Sequence, residues 1–339
     1  MEKRIEELAH QVLAGKQLNY EEGVELIRTE RAYLLFLFAW ADRIRQEFLP
    51  SGSDLCAIIN GRSGRCTEDC SYCAQSIHYQ TGVKEYLLLS EERFLQATEQ
   101  AFQDGAHRFS IVTSGPGGAE DQDFHSLVRT LGKMVDRGDL NICASLGSLT
   151  EEKARALKEA GVVRYHHNIE SAESHYREIC RTHTWQERVN TIRIARDAGL
   201  EVCSGGIFGL GESPEQRVEM ALALREMDIQ CVPLNVLSQI PGTPLEHQPS
   251  LAPLDYLQAV ATFRFLLPTL GIRSAGGREK TLRDLQSMLL LSGADGMMIG
   301  GYLTTGGRDP LMDQQMLKDI ERSGAKNGKE EKWSDPTSK

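Results

Sequence analysis

The sequence predicts an α/β protein, a (β/α)8 barrel of the TIM type behind an N-terminal helical extension. Three observations lead there. From Asp54 onward, short apolar runs alternate with amphipathic stretches of helical period. Eight strands and eight helices can be counted this way, and strict alternation of the two gives a parallel sheet. Glycine repeatedly stands between a helix and the next strand, at Gly105, Gly138, Gly161, Gly199, Gly271 and Gly293, where a left-handed residue closes a helix. Eight units suit closure into a barrel better than an open, doubly wound sheet.

Residues 1–48 make the extension. Ile5, Leu8, Ala9, Val12 and Leu13 fall at helical spacing, and Gly15 ends that helix. A second helix starts near Tyr20, and a third carries Leu34, Leu35, Phe38 and Ala39. The barrel follows over 49–323. Its strands are predicted near 54–60, 107–113, 141–147, 162–169, 201–208, 231–238, 271–275 and 295–301. Helices are predicted near 90–104, 121–137, 150–160, 185–198, 214–228, 254–268 and 280–292, with a last one over 312–322. Ser90 and Thr150 read as N-caps, and Ser213-Pro214-Glu215-Gln216 as a capping box with proline in the first turn. Residues 324–339 are polar and predicted to form a disordered tail.

Composition narrows the function classes. With 40% hydrophobic and 25% charged residues the chain is an ordinary soluble globular protein. A net charge of −10 argues against nucleic acid as a partner. The longest apolar run, 33–41, is too short to span a bilayer, and the charged start is not followed by an apolar segment. Eight cysteines without a signal peptide point to a reducing, cytoplasmic setting, where they serve as metal ligands or core residues.

Three of these cysteines lie within eight residues, Cys66-Thr67-Glu68-Asp69-Cys70-Ser71-Tyr72-Cys73, directly after the first predicted strand. That is the end of a barrel at which chemistry is done. Such a run suits an iron–sulfur cluster. A four-iron cluster needs one ligand per iron, so either a distant residue supplies the fourth or one iron stays open. Zinc would want a fourth Cys or His at short spacing, and only His78, five residues on, is near. Other strand ends are also polar or glycine-rich: Ser114 to Gly118, Tyr165 to Ser171, Val202 to Glu212, Asn235, and Gly300 to Gly306. Polar groups gathered at a strand end are costly to bury without partners, which favours a ligand-facing cluster. His166 and His167 taken singly read as packing or capping residues. Arg273 within a strand needs an anion, a cluster or an acid beside it.

The spacing Cys-x3-Cys-x2-Cys, with an aromatic before the last cysteine, resembles the cluster loop of the radical S-adenosylmethionine (SAM) enzymes. Taken with His167-Asn168-Ile169-Glu170-Ser171, Val202-Cys203-Ser204-Gly205-Gly206-Ile207, Asn235-Val236-Leu237, Ile272 to Glu279 and Leu303-Thr304-Thr305, the chain from about 50 to 322 resembles the biotin synthases. Those enzymes insert sulfur between two unactivated carbons of dethiobiotin. No side-chain base can remove such a proton, so the resemblance implies radical chemistry carried by cofactors and no catalytic side chain.

The resemblance implies that Cys66, Cys70 and Cys73 hold a [4Fe-4S] cluster whose open iron takes SAM. It places Tyr72 beside the adenine, Asn168 and Glu170 on SAM and substrate, Asn235 near the substrate ring, and Thr304 and Thr305 at the dethiobiotin carboxylate. A second, sulfur-donating cluster is implied, with Cys143, Cys203 and Arg273 at three of its four usual ligand positions. The fourth position holds Ser110, which points to a variant. Either the [2Fe-2S] centre is changed or four irons are present, with Cys56 or Cys180 supplying the missing thiolate. Cys231 is read as core. The resemblance also implies a homodimer and a flavodoxin or ferredoxin as low-potential electron donor. Two rival readings are a related radical SAM enzyme of the methylornithine synthase or hydrogenase-maturase kind, and a non-catalytic iron–sulfur carrier or sensor.

Overall fold

The computed structural model describes residues 1–50, 52–117 and 121–322. The tail expected over 324–339 lies outside the described residues. Three helices, α1 (Glu2–Leu13), α2 (Tyr20–Ile27) and α3 (Leu34–Phe48), precede the sheet. Then follow β1 (Asp54–Arg62), α4 (Glu91–Gln103), β2 (Arg108–Thr113), α5 (Asp121–Asp136), β3 (Asn141–Ser145), α6 (Glu151–Glu159), β4 (Arg164–His166), α7 (Glu173–Ile179), α8 (Trp185–Asp197), β5 (Glu201–Cys203) and β6 (Gly206–Phe208). The chain continues through α9 (Pro214–Arg225), β7 (Cys231–Val236), α10 (Pro253–Leu266), β8 (Gly271–Ser274), α11 (Arg278–Leu282), α12 (Met288–Leu291), β9 (Gly296–Met298) and α13 (Pro310–Arg322). Among the described residues no helix is long and apolar enough to cross a membrane.

Every strand pairing is parallel, in the order β5-β4-β3-β2-β1-β9-β8-β7-β6. The barrel closes because β5 and β6 are two pieces of one broken strand, and β7 pairs with both. The expected caps are present: Ser90, Thr150 and Ser213 each accept from the N3 amide, and Gln216 completes the capping box.

The extension is fastened to the barrel wall by burial. Leu34, Leu37, Phe38, Ala41 and Ile44 of α3 are all 5% exposed or less. Each large side chain of this kind contributes roughly 1.5–3 kcal/mol on leaving water. They face α10, which is itself buried from Tyr256 to Leu266. Gln258 of α10 donates to Leu26 O and Thr29 O and so satisfies the end of α2.

The structure corrects several sequence expectations. The strand expected over 201–208 breaks at Ser204-Gly205, because the chain is squeezed there: a Cβ on Gly205 would stand 2.0 Å from Pro233 O. The strand expected over 162–169 narrows to β4, after which residues bond singly to strand five, His167 N to Cys203 O and Glu170 N to Gly205 O. Helix α7 was not expected. It is seven residues long with only Tyr176 and Ile179 buried, too short to show a periodic stripe. The helix expected over 280–292 is broken, with Arg283 in a left-handed conformation. The last strand expected, 295–301, shortens to β9. Gly271 does not close a helix in a left-handed turn. It opens β8, and its φ is not positive.

Candidate active site: the barrel interior

Side chains alternate across a strand, so every second residue of each strand faces the barrel axis. Along β1 these are Asp54, Cys56 and Ile58; along β2, Arg108, Ser110 and Val112; along β7, Cys231, Pro233 and Asn235. A cavity of about 310 Å³ fills the upper part of the barrel. It runs from Cys56, Arg108 and Cys143 up past His166, Asn168 and Asn235 to Tyr72, Cys73, Thr304 and Thr305.

The cysteine loop lies at the mouth. It folds on itself through Cys66 N to Gln75 O and Ile77 N to Cys66 O, and onto the end of α7 through Ser71 N to Ile179 O. Asp69 fastens it. Its Oδ1 accepts from the amides of Arg181 (2.9 Å) and Thr182 (3.1 Å). Burial opposes that charge, but these donors hold the Asp69 carboxyl at about 2. Cys70 is buried, whereas Cys66 and Cys73 are partly exposed. Three thiols on one fastened loop, with Cys73 facing the cavity, form a donor set that fits a four-iron cluster with an open iron.

Cys180 stands beside this loop, not at the barrel floor. Its Sγ is 3.8 Å from Cys70 Sγ and 3.3 Å from His183 Nδ1. His183 also meets Glu68 Oε2 and the Tyr176 hydroxyl.

Glu170 and Asn168 come together at the cavity wall. Asn168 Nδ2 donates to Glu170 Oε2 at 3.3 Å, while its Oδ1 accepts from Gly205 N. Arg188 lies 3.7 Å from Glu170 Oε1 and donates to Asn168 O. Burial raises the Glu170 carboxyl, and Arg188 opposes that shift. Glu170 has φ +68°, a strained conformation for a residue with a side chain. It is held by bonds to the break in strand five and to the piece after it, Glu170 N to Gly205 O and Ile207 N to Glu170 O. Asn235 is fixed between Gly206 O, to which it donates, and Gly276 N, from which it accepts. Thr304 and Thr305 are exposed on the rim, with Tyr302 donating to Thr305 O.

The floor carries the other thiols. Cys56, Cys143, Cys203 and Cys231 are all buried, on β1, β3, β5 and β7. Arg273 donates from Nε to Cys231 Sγ at 2.8 Å and from Nη2 to Asp54, and it acts on Cys56 and Cys203 as well. Burial raises Cys56 and Cys143, and it opposes ionisation of Cys231 too. Cys203, Arg273 and Arg164 outweigh it at Cys231, which falls below the ordinary thiol range. Burial likewise opposes the Asp54 charge, yet Arg273, His107, Arg108 and Arg164 hold that carboxyl well below its usual range.

Sequence reasoning placed Cys231 in the core. It is buried, and the structure also brings it beside Arg273 and opposite Cys203 at the barrel floor, a place signalled by the period of two: Cys231 shares a strand face with Asn235. Four thiols around a guanidinium whose Nη1 has no hydrogen-bond partner among the described residues form a donor set that fits a second iron–sulfur centre. Ser110, at 2% exposed, also leaves its Oγ without a hydrogen-bond partner among the described residues.

Comparison with known proteins agrees with this arrangement. The radical SAM superfamily model matches residues 62–224, and the biotin and thiamin synthesis associated domain matches 233–323. The biotin synthase of Carboxydothermus hydrogenoformans is 45% identical over 321 residues, 94% of this chain and 99% of that protein. The biotin synthase of Geobacter sulfurreducens is 47% identical over 315 residues, 93% of this chain and 96% of that protein. Among solved structures, methylornithine synthase superposes with a TM-score of 0.80 at 20% identity, covering 95% of this chain and 97% of its own. An FeFe-hydrogenase maturase from Carboxydothermus hydrogenoformans superposes with a TM-score of 0.79 at 18% identity, covering 94% and 78%. These two share the barrel. Identity to the biotin synthases is more than twice as high, and along nearly the whole of both chains, so the chain belongs to the biotin synthase family within the radical SAM superfamily.

Proposed function

We propose that this chain converts dethiobiotin to biotin, with a four-iron cluster on Cys66, Cys70 and Cys73 and an auxiliary iron–sulfur centre on Cys56, Cys143, Cys203, Cys231 and Arg273. The observation that carries the reading is the continuous cavity between them. Tyr72 and Cys73 line its mouth, and Cys56 and Cys143 line its floor. A molecule lying in it touches both sets of thiols. When bound, SAM on the first cluster supplies the one-electron chemistry that unactivated C–H bonds demand, and the auxiliary centre supplies the sulfur.

The chain's own residues position and exclude. Glu170 and Asn168 offer an acceptor and an amide to the ribose and amino acid parts of SAM. Asn235 holds its amide rigidly, because both of its polar atoms are engaged by backbone, and so presents a fixed edge to the ureido ring. Thr304 and Thr305 receive the carboxylate at the rim. Ile58, Val112 and Val236 give the walls their apolar surface and keep water from the reacting carbons. Cys180, next to Cys70, is left out of the auxiliary set, and four thiolates suit a centre of two irons or of four. Electrons come from a low-potential donor of the flavodoxin or ferredoxin kind.

The test is anaerobic turnover of protein reconstituted with iron and sulfide, given SAM, reductant and dethiobiotin. Biotin is expected with about two 5′-deoxyadenosines per product, one for each carbon attacked. Deoxyadenosine without biotin would move the substrate to that of a relative.

A further inference from the structure

A second cavity, of about 190 Å³, enters the barrel from the opposite end. Its rim is exposed at Pro50, Gly52 and Thr269. Its inner end is formed by Cys231, Arg273, Arg164 and Asp54, which are 1%, 3%, 5% and 5% exposed. The two cavities share no lining residue. They reach the floor thiols from opposite sides, Cys56 and Cys143 from above and Cys231 from below.

The lower cavity is unlike the end of an ordinary barrel, which aliphatic layers fill. Arg164 and Arg273 line it with Asp54, Glu201 and Asp295, while Arg108 and Arg264 pair with Asp54 and Asp295 from outside its lining. Each carboxylate is paired to arginine. Among the described residues Arg273 Nη1, deeply buried, has no hydrogen-bond partner, and neither has Arg164 Nη1. Buried guanidinium donors without acceptors are costly unless an anion visits them. At about 30 Å³ per water, the space holds roughly six waters, or a small hydrated anion.

We propose that this cavity is a hydrosulfide port, through which HS⁻ passes from solvent to the auxiliary centre beside Cys231. The proposal rests on the reading that the floor thiols hold a sulfur-donating centre, because such a centre must regain sulfide after each product. Hydrosulfide carries sulfur at the oxidation level of cluster sulfide, so its uptake transfers no electrons. It gives up one proton, which passes to the water of the cavity. Arg273 Nη1 and Arg164 Nη1 supply the donors that meet the anion. Sulfide can then return while the upper cavity holds substrate or product.

The test narrows the port and follows the sulfur. Thr269→Trp places a large ring on the exposed rim. Gly271→Met is a second plug: a Cβ there meets Asp295 Oδ2 at 3.4 Å and Cys231 Sγ at 3.7 Å, so it fits, and the longer chain fills the passage. Reconstituted parent and variants complete one anaerobic turnover and are desalted. They are then given iron(II) and ³⁴S-sulfide, and protein-bound acid-labile ³⁴S is measured against time by mass spectrometry. The parent is expected to regain label at least tenfold faster than either plugged variant, while Thr269→Ser follows the parent. Label returning at the parent's rate in both plugged variants overturns the port. If the parent itself holds no auxiliary iron and no label, the auxiliary-centre reading fails instead, and the port falls with it.

Discussion

Cys203 stands opposite Cys231 across the seam that closes the barrel, the register pair by which β5 meets β7. Two thiols face each other at the closure, with Arg273 donating to one of them, and under the proposed function both are ligands of the auxiliary centre. Cys231→Ala is therefore expected to strip the auxiliary iron and leave the SAM-binding cluster. Cys180→Ala is expected to leave the auxiliary iron in place. Iron and sulfide counts with Mössbauer spectra on the reconstituted variants check both. Auxiliary iron that survives Cys231→Ala and vanishes in Cys180→Ala would reverse the assignment.

Glu170 owes its strained conformation to the absence of a side chain on its neighbour. A Cβ on Gly206 would lie 2.4 Å from Glu170 O, a backbone atom that cannot swing aside. Gly206→Ala should thus push Glu170 and Asn168 off the cavity wall. SAM affinity is expected to fall at least tenfold, about 1.4 kcal/mol, with both clusters retained. Equilibrium dialysis with labelled SAM measures it. Unchanged affinity would remove Glu170 from the SAM site.

Much of this architecture was legible in the sequence. The alternation of strands and helices gave the barrel, and Ser90, Thr150 and Ser213 marked helix starts, because these signals are local. What stayed hidden depends on partners distant in the chain. The break in strand five is set by Pro233 O pressing on Gly205, and the place of Cys180 by Asp69 and Cys70, 111 and 110 residues away. Cys231 was legible in principle from its face, but a buried cysteine in an apolar strand looks the same as a core residue. Asp54, Arg108 and Arg164 sit near strand starts and escaped notice, since charge at a strand start ordinarily faces water.

Those charges make the next prediction. Asp54 is 5% exposed and bonds Arg108 and Arg273, with Arg164 at 3.9 Å. Asp54→Asn keeps the shape and removes the charge, leaving three guanidinium groups sharing fewer acceptors. Breaking a buried pair in this way costs about 3–5 kcal/mol. Urea unfolding of the variant under anaerobic conditions is expected to show a loss of that size. A loss under 1 kcal/mol would mean that Glu201 and the floor thiolates already balance the arginines.

His167 offers a test of pH dependence. It is 9% exposed, and its Nε2 has no hydrogen-bond partner among the described residues. Burial, with Arg188 and His183 adding to it, holds the imidazole well below its ordinary range. The folded protein thus keeps His167 neutral at a pH where the unfolded chain has already taken up a proton. Between the two values the unfolded state binds more protons, so stability rises with pH and is lost as pH falls. The loss begins near the unfolded histidine value of about 6.5 and proceeds at up to about 1.4 kcal/mol per pH unit. His167→Gln cannot take up that proton. Its unfolding free energy should fall less steeply between pH 6 and pH 5, by about 1 kcal/mol over the interval, while the offset between variant and parent stays constant above pH 7.5. Anaerobic urea titrations at pH 7.5, 6 and 5 on both proteins give the two slopes. Equal slopes would show that His167 titrates normally in the folded barrel, and that water reaches its Nε2 through the cavity wall.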